Sequence, residues 1–264
     1  MIKRIIIKMI AKFGYDIKKI NHKKDKEFLF ITKEGLTYSE NFLYTYHNAD
    51  FIKDPLFIES YNLGKATDKQ KTLLKNNDIR WRIHVLCWAA YHGVHLDGDF
   101  VDCGVYTGIF SRAIINYIDF NSTGKKYYLL DTFTGLEPLY STEKEMKRNE
   151  SFGYASQSQV YEEVTQTFKN FNVEIIKGAV PETLIRVKSN KICFLSVDMN
   201  CVLPEIEALE FFWNKMVSGG IIILDDYGYA NSTNDQKEAH DKFAKSKGVM
   251  ILTLPTCQGL IIKP

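Results

Sequence analysis

The sequence predicts an α/β fold, a mostly parallel sheet with helices on both faces and an antiparallel C-terminal edge. Three observations predict it. From residue 78 onward, short apolar runs alternate with segments of helical periodicity. The run Ile221-Ile222-Ile223-Leu224 is apolar without alternation, as a strand covered on both faces requires. Glycines and carboxylates recur just after the apolar runs, at the strand ends where an open α/β sheet binds its ligands.

Residues 1–77 show no strand-helix repeat and are rich in Lys, Asn and Tyr, so they read as a mainly helical, partly irregular extension to a domain spanning 78–264. Ile79, Ile83, Leu86, Cys87 and Ala90 recur at helical spacing, and Asp97-Gly98-Asp99 supplies a turn before the first strand, 100–103. A helix over 110–118 and strands over 126–130, 173–177 and 192–197 follow. Pro204 marks a helix start, with Ile206, Leu209, Phe212, Trp213 and Met216 as its buried stripe. Gly219-Gly220 reads as the end of that helix, releasing a buried strand at 221–224. A helix over 236–245 and an apolar tail, 249–254 and 259–262, complete the domain, the tail as a hairpin on the sheet edge.

Composition bounds the function. With 45% hydrophobic and 25% charged residues in 264, the chain is an ordinary globule holding one sizeable domain. The 34 basic and 32 acidic residues leave a net charge of +2, too little to hold nucleic acid by neutralising phosphates. Five cysteines, Cys87, Cys103, Cys193, Cys201 and Cys257, form no C-x-x-C pair and suit reduced thiols in the cytosol. Lys8 and Lys12 interrupt the apolar set Ile5, Ile6, Ile7, Met9, Ile10 and Phe13, so the start is neither a transmembrane span nor a good signal peptide. Its basic residues leave two readings open, a helix resting on an anionic membrane and a solvated surface or subunit-contact helix. The subunit-contact reading is compatible with a homo-oligomer.

The strand ends carry the candidate chemistry. After the first strand comes Asp102-Cys103-Gly104-Val105-Tyr106-Thr107-Gly108, whose glycines let the backbone turn closely around a ligand. Asp131, followed by Thr132 and Phe133, lies 27 residues beyond Gly104, where a Rossmann-like fold places a carboxylate on ribose hydroxyls; a turn or cap role is the alternative. After the fourth strand stands Asp198-Met199-Asn200, and after the fifth Asp225-Asp226-Tyr227. Adjacent carboxylates disfavour each other's ionisation unless something compensates, and a hard cation such as Mg²⁺ on Asp198, Asp225 and Asp226 is the simplest compensation. A helix cap beside a solvent-facing Asp is the other reading.

At these residues the chain resembles the metal-dependent sugar O-methyltransferases typified by macrocin O-methyltransferase. The likeness runs from about Arg82 to Lys263, through Gly98-Asp99-Phe100-Val101-Asp102-Cys103-Gly104-Val105, Asp131-Thr132-Phe133-Thr134-Gly135-Leu136, Lys177-Gly178 with Pro181-Glu182-Thr183-Leu184, Asp198, and Gly219-Gly220 leading to Asp225-Asp226-Tyr227-Gly228. Ala239-His240-Asp241-Lys242-Phe243 looks like the helix that follows in that family. The resemblance implies a Rossmann-like methyltransferase using S-adenosylmethionine. The first glycine loop would hold its methionine part, Asp131 its ribose, and Lys177-Gly178-Ala179 would lie near its adenine. Asp198, Asp225 and Asp226 match the family's metal ligands, and the acceptor would be a hydroxyl of a sugar or glycosylated small molecule. Asp102 stands where the family usually has Glu. Asn200 replaces a frequent second carboxylate and cannot take a proton at neutral pH, which leaves Asp198 as the candidate base.

Two other classes stay in view. Asn200 suits a cofactor-binding protein without methyl transfer. A nicotinamide-dependent oxidoreductase would also use a carboxylate after the second strand, although the first loop lacks G-x-G-x-x-G. His240 reads as a packing residue or a base, and His84, His92 and His95 as structural or substrate-side residues. The cluster Tyr38, Phe42, Tyr44 and Tyr46 reads as a local core or a lid, and the polar segment 140–161, containing Gly153, as a lid over substrate.

Overall fold

Every residue of the strand Ile192–Val197 is buried, which is possible only with apolar layers on both sides of the sheet. The computed structural model describes residues 15–21, 26–32, 36–41, 43–69, 78–152, 159–229 and 234–264. The chain divides into two compact units, 1–50 and 51–264.

In the first unit, β1 (Tyr15–Asn21) pairs antiparallel with β2 (Lys26–Thr32), and β3 (Tyr38–Glu40) with β4 (Leu43–Thr45). The mainly helical extension expected here is therefore corrected for these residues. Phe28, Phe30, Ile31 and Thr32 are aromatic or β-branched, the types that favour a pleated surface, and such a preference is visible without any α/β repeat. Tyr38 is buried on β3, whereas Tyr46 is half exposed. The basic start Met1 to Phe13, Phe42 and Gly153 lie outside the described residues.

The second unit carries a seven-stranded sheet in the order β10-β11-β9-β8-β5-β6-β7. Its parallel strands are β5 (Asp99–Cys103), β6 (Tyr127–Asp131), β7 (Val173–Lys177), β8 (Ile192–Val197) and β9 (Met216–Leu224). β11 (Gly259–Ile262) runs antiparallel to β9, with β10 (Leu252–Thr253) outside it, so the apolar tail forms the edge hairpin expected. Successive side chains alternate between the faces. Phe100, Leu129, Phe194 and Ile223 face one core with α1 (Pro55–Lys65), α2 (Arg80–Val94), α3 (Ile109–Tyr117) and, beyond α4 (Glu143–Phe152), α5 (Val160–Phe168). Val101, Leu130, Leu195 and Leu224 face the other, under α6 (Val202–Trp213) and α7 (Asn234–Ser246).

Gly219 and Gly220 do not end a helix. α6 stops at Trp213, and both glycines lie inside β9, which begins at Met216. The Gly219 N–H donates to the Lys263 carbonyl and the Lys263 N–H to the Gly220 carbonyl, so pairing with the C-terminal segment overrides the local helix-stop signal. No disulfide forms among the five cysteines, four of which are buried.

Helix α1 starts where Asp54 accepts the Phe57 N–H at 2.7 Å and Pro55 supplies the first helical residue. It packs against α3 through Gly64, where an added Cβ would lie 2.5 Å from the Ile109 carbonyl oxygen. Gly64→Ala is expected to lower stability by about 1–3 kcal/mol through overpacking. Urea denaturation checks this; an unchanged midpoint would mean that the α1–α3 contact does not persist in solution.

Candidate active site

The ends of β5 and β8 approach so closely that a Cβ on Gly104, at φ +98°, would lie 1.9 Å from the Asp198 carbonyl oxygen. Only glycine permits that turn. Tyr106 is also left-handed, at φ +52°, and Asp131 on the neighbouring strand holds the loop there. The Val105 and Tyr106 N–H groups donate to Asp131 Oδ2 at 2.7 and 2.8 Å, and the Phe133 N–H donates to Oδ1 at 2.6 Å. One carboxylate thus knits the turn after β5 to the turn after β6. Burial pushes its carboxyl up, and the three amides pull against that. The Thr132 hydroxyl lies 3.5 Å from the same Oδ1.

These turns shape a cleft at the carboxyl edge of the sheet. It is lined by Gly104, Val105, Tyr106, Asp131, Thr132, Phe133, Gly178, Ala179, Asp198 and Asn200 among the residues singled out in the sequence, by Met199 between the last two, and by Ser141 and Asn149 of the polar segment 140–161. Asp102, Cys103, Gly108 and Lys177 do not line it. Cys103 is buried in the sheet, and Gly108 faces the Phe168 ring, 2.6 Å from where its Cβ would stand. Lys177 is exposed, its Nζ 4.5 Å from the centre of the Tyr161 ring. Asp102 lies behind the cleft, in register with Ser196 of β8, and accepts the Ser111 hydroxyl at 2.5 Å. Burial pushes the Asp102 carboxyl up to about 7, against the pull of that hydroxyl.

The acidic edge has a partner that the sequence reading missed. Arg82, on α2, places Nη1 2.7 Å from Asp225 Oδ2 and Nη2 2.6 Å from Asp226 Oδ1. Gln258 donates to the remaining Asp225 oxygen at 2.9 Å. Arg82 is an i+3 neighbour of Ile79 and precedes Leu86 by four, so it sits on the apolar stripe itself; a cation on that stripe was the available signal. Asp198 follows β8, accepts the Asn200 amide at 3.3 Å, and is held far above the usual carboxylate range by burial and then by the Asp225 and Asp226 charges, with Arg82 opposing. Asn200 is itself left-handed, at φ +56°. Asp225 and Asp226 do not line the cleft. Among the described residues no group of three or more His, Cys, Asp or Glu is arranged to hold a metal ion, and with Arg82 and Gln258 on the pair the Asp198, Asp225, Asp226 set does not fit one.

A second buried network supports the Asp198–Asn200 turn. Glu205 accepts the Met199 N–H at 3.0 Å and both oxygens face the Gln236 amide, while His240 Nε2 lies 3.0 Å from Glu205 Oε2. His240 is thus a packing residue on α7, away from the cleft lining. His84 stacks on Phe51 and His92 meets the Gly219 carbonyl, both structural positions.

Two outcomes follow from the buried carboxylates. Asp102 holds a proton in the folded state up to about pH 7 that the unfolded chain releases near 3.8, so its contribution is fully present below the lower value and lost as pH rises through the upper one. Asp102→Asn, measured by urea denaturation at several pH values, is expected to remove a decline of a few kcal/mol over that window; parallel wild-type and variant curves would refute it. Asp131→Ala leaves three loop amides without their acceptor and is expected to weaken S-adenosylhomocysteine binding at least about tenfold, roughly 1.4 kcal/mol, in calorimetry. Unchanged affinity would dissociate the loop from the ligand.

Comparison with known proteins gives the family. A relative from Streptomyces olivaceus, 8-demethyl-8-(2,3-dimethoxy-alpha-L-rhamnosyl)-tetracenomycin-C 4'-O-methyltransferase, is 25% identical over 142 residues, 49% of this chain and 53% of its own. The chain thus spans about half the length of that curated relative. The O-methyltransferase NovP superposes with a TM-score of 0.63 at 17% identity, covering 79% of this chain and 97% of its own. CalS11, a calicheamicin methyltransferase, superposes at 0.59 and 14%, covering 82% and 94%. At those identities the superpositions show the fold, a Rossmann-like methyltransferase sheet. Residues 86–252, well over half the chain, match the family described as Macrocin-O-methyltransferase (TylF), and the protein belongs to that family, as its strand-end motifs imply.

Proposed function

We propose that this protein is an S-adenosylmethionine-dependent O-methyltransferase acting on a hydroxyl of a sugar or glycosylated small molecule. The observation that carries the reading is the cleft at the carboxyl edge, where the Gly104 turn, Asp131, Ala179 and Asp198 face one space. Family membership supports the reaction, and the relative named for 4'-O-methylation of a rhamnosyl tetracenomycin supports the acceptor class. We take residues 78–264 as the catalytic portion. The reduced cysteines support a cytosolic setting, and no helix among the described residues is long and apolar enough to cross a membrane.

The roles follow from position. The loop from Asp102 to Gly108, with Gly104, Val105 and Tyr106 on the cleft, takes the methionine part of the cofactor; Asp131, with Thr132 and Phe133, takes the ribose; Gly178 and Ala179, beside Lys177, border the adenine. The acceptor oxygen attacks the sulfonium methyl in line, the carbon–sulfur bond breaks, and S-adenosylhomocysteine leaves as a neutral thioether. The hydroxyl proton goes to Asp198, the carboxylate of the cleft lining that stands at the end of β8. A divalent ion of the kind the family uses would polarise two neighbouring hydroxyls, but here Asp225 and Asp226 are engaged by Arg82 and Gln258.

Calorimetry with S-adenosylhomocysteine, followed by transfer of labelled methyl from S-adenosylmethionine to a panel of rhamnosides and other glycosides, tests the proposal. The expected result is binding and transfer to at least one glycoside, with Asp198→Asn lowering kcat about 10²–10⁴-fold while cofactor affinity is retained. No binding at millimolar cofactor would sink the reading. Binding without transfer to any glycoside would favour a cofactor-binding protein altered at Asn200.

A further inference from the structure

We propose that Arg82 is the resident cation of the acidic edge, so that the Asp225–Asp226 pair takes no divalent metal. The inference deepens the methyl-transfer reading and rests on it for its catalytic meaning. Its geometry is independent of that reading.

Three observations carry it. First, three of the pair's four oxygens are engaged: Asp225 Oδ2 and Asp226 Oδ1 face the two terminal nitrogens of one guanidinium, and Asp225 Oδ1 accepts from Gln258, which Thr256 orients by donating its hydroxyl to Gln258 Oε1 at 2.8 Å. A Mg²⁺ ion demands near-octahedral oxygen ligands at roughly 2.0–2.1 Å and would have to strip the pair of these partners. Second, the guanidinium cannot step aside or discharge. Its side chain is 11% exposed, it rises from a helix whose neighbouring Ile83 and Leu86 are wholly buried, and arginine does not lose its proton in proteins. Third, its remaining donors are also engaged: Nη2 reaches the Asp225 carbonyl at 3.4 Å, Nε reaches the Thr256 carbonyl at 3.4 Å, and Tyr229 lies 5.5 Å from Cζ. A divalent ion beside this fixed charge would meet repulsion rather than a ready carboxylate cage.

The consequence is a change of role for the pair. Asp225 and Asp226 anchor the end of β9 to α2 and to the Thr256–Gln258 turn, while the cleft itself depends on Asp198 and on the orientation of the acceptor. Arg82 acts through these carboxylates and is a positioning residue.

Mn²⁺ serves as the probe, its uptake read from the loss of the free-ion electron paramagnetic resonance signal, on the full chain with and without saturating S-adenosylhomocysteine. The expected result is no uptake below about 1 mM, or uptake that Asp225→Asn leaves unchanged. One Mn²⁺ per chain bound below about 100 µM and lost in Asp225→Asn would overturn the proposal. Arg82→Ala, where it still binds S-adenosylhomocysteine, is expected to bind Mn²⁺ at least about tenfold more tightly than wild type; no gain in such a variant would overturn the assignment of the guanidinium as the excluding group. Where that variant does not hold the cofactor, the comparison of wild type with Asp225→Asn decides alone. Cofactor calorimetry on the same wild-type sample reads the methyltransferase proposal separately, because the Mn²⁺ titration without cofactor stands whether or not the cofactor binds.

Discussion

A parallel sheet covered on both faces has almost no room for charge along its strands, and this constraint organises the molecule. In β8 and in the last five residues of β9 every side chain is buried, so polar groups collect where the strands end. The close approach of Gly104 to the Asp198 carbonyl brings two of those ends together, and the hydrogen bond from the Asp198 N–H to the Cys103 carbonyl closes the contact. The cleft is what remains between turns that cannot pack any tighter.

Crowding carboxylates at one edge creates an electrostatic problem that is solved differently at each position. Asp131 is compensated by three backbone amides, which need no counter-charge. Glu205 is met by Gln236 and His240, and it holds the Met199 amide. Asp225 and Asp226 share a guanidinium. Asp102 and Asp198 receive the least compensation, and burial raises both. Asp102 is sealed inside the sheet beside Ser111, whereas Asp198 opens onto the cleft, so only the second is available to an acceptor.

The strands were legible because a strand buried on both faces must be written as a short apolar run between turn residues. The spans 173–177 and 192–197 match β7 and β8 residue for residue. Where local signals compete with distant pairing, the reading fails. Gly219-Gly220 has the composition of a helix stop, yet the C-terminal segment recruits it into β9. The hairpins of the first fifty residues lack the helical alternation that anchored the rest, and pairing between strands has no periodic trace once the α/β repeat is absent.

What the sequence by itself determined is the order of the five parallel strands, the family through its strand-end motifs, and the residues that line the cleft from β5, β6 and β8. These are local properties, since each residue stands next to the strand that presents it. Only the tertiary structure decided what neutralises Asp225 and Asp226, because Arg82 is 143 and 144 positions away in the chain and reaches them through the docking of α2 on the sheet. It also decided that Asp131 first serves the loop amides and that Asp102 stands behind the cleft. A carboxylate can be read from a sequence, but its partner is set by what the fold brings within about 3 Å, and that distance has no sequence signature.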